Sequence, residues 1–184
     1  RRPSPLLSHP LVHLLLLQKC PVSVPSHLHY LPRLLPTARA SRDSIAAVAA
    51  AIEEDGLQRH LQGNEPPYHN RLHIADTLVC MTHLLLAHRQ ARPAATVKAD
   101  SEYLGLVVML GHDFLHSGQV NRFPGELESL AVSQLQPILR QYGVQPEDIE
   151  TIGHCILKTD PTGVRQSHEL IVGRPFVLDD RDCL

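Results

Sequence analysis

Two short segments hold the side chains that could do chemistry together. The first is Tyr68-His69-Asn70-Arg71-Leu72-His73-Ile74-Ala75-Asp76; the second is Gly111-His112-Asp113-Phe114-Leu115-His116-Ser117-Gly118-Gln119-Val120-Asn121. Imidazole nitrogen and carboxylate oxygen are the donors that zinc, iron and manganese accept, and an adjacent His-Asp pair offers one imidazole plus one carboxylate able to bridge two ions. The chemistry these residues suggest is metal-assisted hydrolysis. His69, His73 and Asp76 are spaced four and three apart, so on a helix they share one face. Placed singly, such histidines can also be half-exposed capping groups. His112-Asp113 is more telling, because it ends a run, Leu104 to Leu110, that is apolar nearly all round, and a charged aspartate in such a place needs compensation.

The elements that must position these residues read as helices. Ser41 or Asp43 caps a first helix through Ile45, Val48, Ala49 and Ile52, with a break near Gly56. A second runs from about Asn70 to Arg89, stopped by Arg92-Pro93, and a third from about Asp100 to Asp113, buried on all sides. A fourth covers Glu126 to Tyr142 with Gly143 as its stop. Pro146-Glu147-Asp148 opens a fifth that fades at Thr159-Asp160-Pro161, and another begins near Arg174. Strand-like alternation is scarce, so the predicted fold class is all-α.

Length and composition narrow the setting. The 184 residues fit one domain with a real core. Residues 1–40 hold seven of the fifteen prolines, eleven leucines, five Lys/Arg and no acid, and read as a disordered extension ahead of a helical domain at 41–184. Their apolar run is short, interrupted by His13 and followed by Lys19, which disfavours a secretory signal. No run reaches the length of a membrane span. Residues 41–184 carry twelve basic and nineteen acidic residues, which argues against nucleic acid as a partner. Cys20, Cys80, Cys155 and Cys183 stand far apart, as free thiols in a reducing cytoplasm would.

The segment Tyr68-His69-Asn70-x-x-His73-x-x-Asp76, followed by Thr82-His83-Leu84-Leu85, closely resembles the signature of class I 3′,5′-cyclic-nucleotide phosphodiesterases, within the HD-domain superfamily of metal-dependent phosphohydrolases. His112-Asp113-x-x-His116-x-Gly118-x-x-Asn121-x-Phe123 resembles the next signature of that family. A weaker likeness runs through Leu127-Glu128-Ser129-Leu130-Ala131-Val132 to Leu157-Lys158-Thr159-Asp160. The resemblance spans residues 64–184.

It implies His73, His112 and Asp113 as protein ligands of a tighter ion, zinc or iron/manganese, with Asp113 bridging to a second, magnesium or manganese. His116, Asp160 and Asn121 fall around the second ion, a metal-bridging hydroxide is the nucleophile, and His69 is the general acid. Glu128 orients His69, with Glu126 as a rival for that role. Tyr68 and Asp76 are structural residues or, for Tyr68, a substrate contact. The implied substrate is a cyclic nucleotide or related phosphodiester; other HD proteins act on nucleoside mono- and triphosphates and alarmones. Counting on from Thr159-Asp160 puts the family's fourth ligand, an aspartate on a later helix, past Leu184. The bundle therefore reads as C-terminally truncated, with Asp179, Asp180 or Asp182 as possible substitutes, and a metal- or nucleotide-binding module without catalysis is the competing expectation.

Overall fold

The computed structural model describes the backbone of residues 39–91 and 99–160, and the side chains of 43–91 and 101–160. The proline-rich extension, the helix expected from Arg174, and Asp179, Asp180 and Asp182 lie outside the described residues. Within them the chain forms five helices and no strand, so the all-α expectation holds: α1 (Arg39–Leu61), α2 (Arg71–Ala91), α3 (Ala99–Gly111), α4 (Glu126–Gln141) and α5 (Pro146–Leu157).

In α1, Ile45, Val48, Ala49 and Ile52 recur at helical spacing and are buried. The break expected at Gly56 is absent, and α1 continues to Leu61. Packing explains why. The stem of Arg71 crosses the helix there, and a Cβ on Gly56 would lie 2.4 Å from Arg71 Cγ. Gly56 is a notch for a neighbouring side chain.

The start of α2 is set by Asn70. Its Oδ1 accepts the backbone N–H groups of Leu72 (2.9 Å) and His73 (3.1 Å), while its Nδ2 donates to the Pro67 carbonyl. The helix then buries Ile74, Ala75, Leu78, Val79, Thr82 and Leu85. The hydroxyl of Thr82 donates to the Leu78 carbonyl, so this polar residue is satisfied within the apolar face.

Helix α3 is the centre of the domain and packs against the other four. From Ser101 to Gly111 only Met109 is less than fully buried. Its one buried charge, Glu102, forms a bidentate pair with Arg89 of α2. At the far end Gly111 lets α4 approach, since a Cβ there would sit 2.2 Å from Leu135 Cδ2.

The second half closes the core with amphipathic α4 and α5. Leu135 and Leu139 face Ile149, Ile152 and Ile156 in a single buried cluster. Between the helices Gly143 adopts φ 77°, and the N–H groups of Gly143 and Val144 bond back to the Arg140 and Leu139 carbonyls. That is the left-handed stop the sequence indicates. Pro146 occupies the first turn of α5, with Glu147 and Asp148 at the positive end of its dipole.

Candidate metal centre

The start of α2 and the end of α3 meet at one point, and the two histidine motifs lie there. Helix α3 gives out at Gly111. His112 to Leu115 form a turn in which the N–H of Phe114 bonds the Gly111 carbonyl and that of His116 bonds the Asp113 carbonyl. Leu115 takes φ 59°, a left-handed conformation that a leucine adopts only under constraint. The turn places His116 over His69, their rings stacked with centroids 3.7 Å apart.

At the centre is a single carboxylate oxygen. Asp113 Oδ2 lies 2.8 Å from His69 Nδ1, 2.9 Å from His73 Nε2 and 3.2 Å from His112 Nε2. Its side chain is 13% exposed and the three imidazoles are 12–26% exposed, so the cluster is half-buried and reachable. Donor atoms of His69, His73 and Asp113 all fall within 4.8 Å of one another, the spacing of a group able to hold a metal ion. Ligands about 2.0–2.2 Å from a tetrahedral zinc are separated by roughly 3.4 Å, so the nitrogens now 2.8–3.2 Å from Asp113 Oδ2 would draw back from it to admit an ion.

The hydrogen bonds assign the rings. His112 Nδ1 is 3.0 Å from the Met109 carbonyl, which can only accept, so that nitrogen carries a proton. Nε2 of the same ring faces Asp113 Oδ2. Two acceptors facing each other at 3.2 Å repel unless a proton or a cation lies between them. In His116 the pattern is reversed. Gly118 N–H donates to Nδ1 at 2.9 Å, so the proton of the neutral ring sits on Nε2.

Protonation states agree with a ligand role. Burial alone would raise the Asp113 carboxyl, but hydrogen bonding and charge from His112 and then His69 outweigh it and hold the group well below the usual carboxylate range. Burial pushes His73 down; attraction to Asp113 opposes this, and the charges of His112 and His69 reinforce it. His116 is lowered by burial and by His69, against the pull of Asp113 and Glu128. An ionised carboxylate and neutral imidazoles are the forms that bind metal.

The remaining candidates fall into two places. Glu128 does not reach His69: its Oε2 accepts from Asn121 Nδ2 at 2.8 Å, and the ring nitrogen of His69 is held by Asp113. Asn121 Oδ1 accepts the Leu127 N–H, so Asn121 ties the loop to the first turn of α4. Glu126 pairs with Arg122 at the surface. Asp160 is buried and receives the Gly125 N–H, beside the same helix start. Tyr68 is 65% exposed, its ring 4.6 Å from that of His73. Asp76 is exposed and lines an open cleft with Tyr68, Leu72 and Cys80.

His69 precedes the helix, so the shared helical face expected for His69, His73 and Asp76 does not form. Asn70 starts the helix one residue too late for it. Sequence reasoning also missed Glu65 and Arg71, whose pairing across a loop follows no periodic signal. No protein-family model, curated protein or solved structure matches this chain. Among the described residues no helix is long and apolar enough to cross a membrane.

Proposed function

We propose that this chain is a metal-dependent phosphohydrolase of the HD-domain kind, acting on a phosphodiester of the 3′,5′-cyclic-nucleotide type. One observation carries the reading. Ring nitrogens of His69, His73 and His112 converge on one carboxylate oxygen, Asp113 Oδ2, at 2.8, 2.9 and 3.2 Å, an arrangement a bound cation makes favourable. His69, His73 and Asp113 are the residues whose donor atoms lie close enough together to hold such an ion, and the expected ligand His112 stands beside them, its Nε2 3.2 Å from Asp113 Oδ2.

A divalent ion bound there supplies Lewis acidity toward a phosphoryl oxygen and lowers the pKa of bound water. The chain's own groups do the rest. Asp113 holds His69 at Nδ1, which leaves Nε2 as the nitrogen that would protonate a leaving alkoxide. His116, stacked on His69 and neutral, presents an Nε2–H to an anionic oxygen of the substrate. The acidic balance of residues 41–184 fits a small anionic substrate held by metal better than a polyanion.

A second reading has its own support. His69 belongs to the donor group as fully as His73 does, and a His69 that ligates metal cannot serve as the acid. The chain would then be a metal- or nucleotide-binding module. His69→Ala separates the two readings. With His69 as acid, metal content measured by elemental mass spectrometry stays at the wild-type level, and hydrolysis of cyclic nucleotides or bis(p-nitrophenyl) phosphate falls about 10²- to 10⁴-fold. Loss of metal from His69→Ala supports the ligand reading, and absence of hydrolysis by the manganese- or zinc-loaded wild-type chain overturns the enzyme reading.

A further inference from the structure

Resting on that reading, we infer that Arg71 and Glu65 form a clamp whose task is to aim His69. His69 lies outside any helix, in the loop that joins α1 to α2, so no helical hydrogen bond fixes its backbone. Something else must, because its Nδ1 stands 2.8 Å from Asp113, a residue 44 positions away.

The clamp closes that loop at its base. Arg71 Nε donates to Glu65 Oε1 (2.9 Å) and Nη2 to Glu65 Oε2 (3.3 Å), a two-pronged pairing. The backbone N–H of Arg71 adds a third bond to Glu65 Oε1 at 3.2 Å. Arg71 Nη1 reaches Glu53 on α1 at 3.1 Å, so the same guanidinium ties the loop to both helices. The Arg71 stem lies in the notch that Gly56 leaves open. His60 of α1 approaches Glu65 from the other side, at 3.2 Å.

Glu65 is the buried partner, 8% exposed, and its carboxyl is held below the ordinary range by Arg71 against the opposing effect of burial. The four residues between Glu65 and Asn70 include Tyr68 and His69, and Asn70 is already committed as the α2 cap. With Glu65 fastened to Arg71 at one end and Asn70 fastened to α2 at the other, the Tyr68-His69 step has little freedom. Arg71 and Glu65 form no hydrogen bond or ion pair with Asp113, His69, His73, His112 or His116, so they are positioning residues. Their effect on chemistry runs through His69 alone. Lysine cannot replace Arg71, since an ammonium lacks the fork that grips both Glu65 oxygens.

The test uses the full chain with Arg71→Lys and Glu65→Gln, both milder than truncation to alanine, alone and combined with His69→Ala. A misplacement of about 1 Å costs up to ~10²-fold, so kcat falls roughly 10- to 100-fold in either variant, while KM and bound metal stay at wild-type values. In the His69→Ala background the clamp substitutions cost nothing further. A merely structural role gives instead a loss that repeats in that background, and this result overturns the proposal.

A second readout does not depend on turnover. Carbethoxylation of His69 by diethyl pyrocarbonate, followed by peptide mass spectrometry with exposed His154 as reference, speeds up severalfold in both clamp variants. If the wild-type chain hydrolyses nothing, the phosphohydrolase reading falls while this rate still decides the clamp. An unchanged His69 rate in folded Arg71→Lys and Glu65→Gln sinks the clamp even where hydrolysis is present.

Discussion

Replacing Asp113 by asparagine separates a metal centre from a cluster of ordinary hydrogen bonds. The substitution keeps shape and removes the charge to which three imidazoles are directed at 2.8, 2.9 and 3.2 Å. In the metal-free protein the cost is that of the contacts the carboxylate makes with the rings around it. The neutral amide weakens the contacts of His69 and His73 with that oxygen, each worth up to about 1.5–3 kcal/mol when charge-assisted. With metal the balance differs. Binding to the native state at a free concentration 100 times Kd stabilises it by about 2.7 kcal/mol, or roughly 5–11 °C in Tm for a chain of this size. Losing a neighbour that merely orients a ligand already weakens metal binding about 10- to 100-fold, so losing the carboxylate itself should remove nearly all of that gain. The assay is thermal unfolding with and without added zinc or manganese. We expect the wild-type midpoint to rise and the Asp113→Asn midpoint to stay put. Equal shifts in both would refute the assignment, because a cation indifferent to Asp113 is bound elsewhere.

Two further outcomes follow from packing and protonation. Gly111→Ala drives a Cβ to 2.2 Å from Leu135 Cδ2, in a residue 1% exposed; overpacking of this kind costs about 1–3 kcal/mol, so Tm should fall by roughly 2–12 °C and metal affinity with it, whereas an unchanged Tm means that Leu135 has room to move. In the metal-free chain the urea midpoint should drop as pH falls from 8 to 5. Burial depresses His73 and His116, so below their ordinary value of 6.5 the unfolded chain binds the extra protons and stability present above that pH is lost; a flat or rising midpoint contradicts the burial of these rings.

Helix existence was legible where a helix carries its own punctuation, whereas the cap expected at Ser41 or Asp43 falls inside α1, which begins at Arg39. Asn70, Gly143 and Pro146 act as cap, stop and first-turn residue where the sequence suggests. The all-round apolar run of α3 correctly announced a central, buried helix. Gly56 misled for a physical reason: a glycine that breaks a helix and a glycine that admits a neighbour's side chain look alike until the neighbour is known. The same limit applies to the site. Glu128 was expected at His69, yet which carboxylate reaches a ring depends on the turn at Leu115, whose positive φ no propensity would forecast. Spacing identified the members of the cluster and left their pairing open.

That pairing comes from how α2 and α3 run. Arg89 near the end of α2 grips Glu102 near the start of α3, while His73 in the first turn of α2 meets Asp113 just past the end of α3, so the two helices are antiparallel and tied at both ends. The carboxylate of Asp113 therefore lies at the positive end of the α2 dipole, which favours its charge. The Arg89–Glu102 pair lies at the opposite end of the helices from the histidines. It nevertheless resists any slide of α2 along α3 that would move His73 away from Asp113. The cost of burying Glu102 is then intelligible as registry: an apolar pair there could pack as well, but it would let the helices slip, and a site whose donors all converge on one oxygen tolerates little slip.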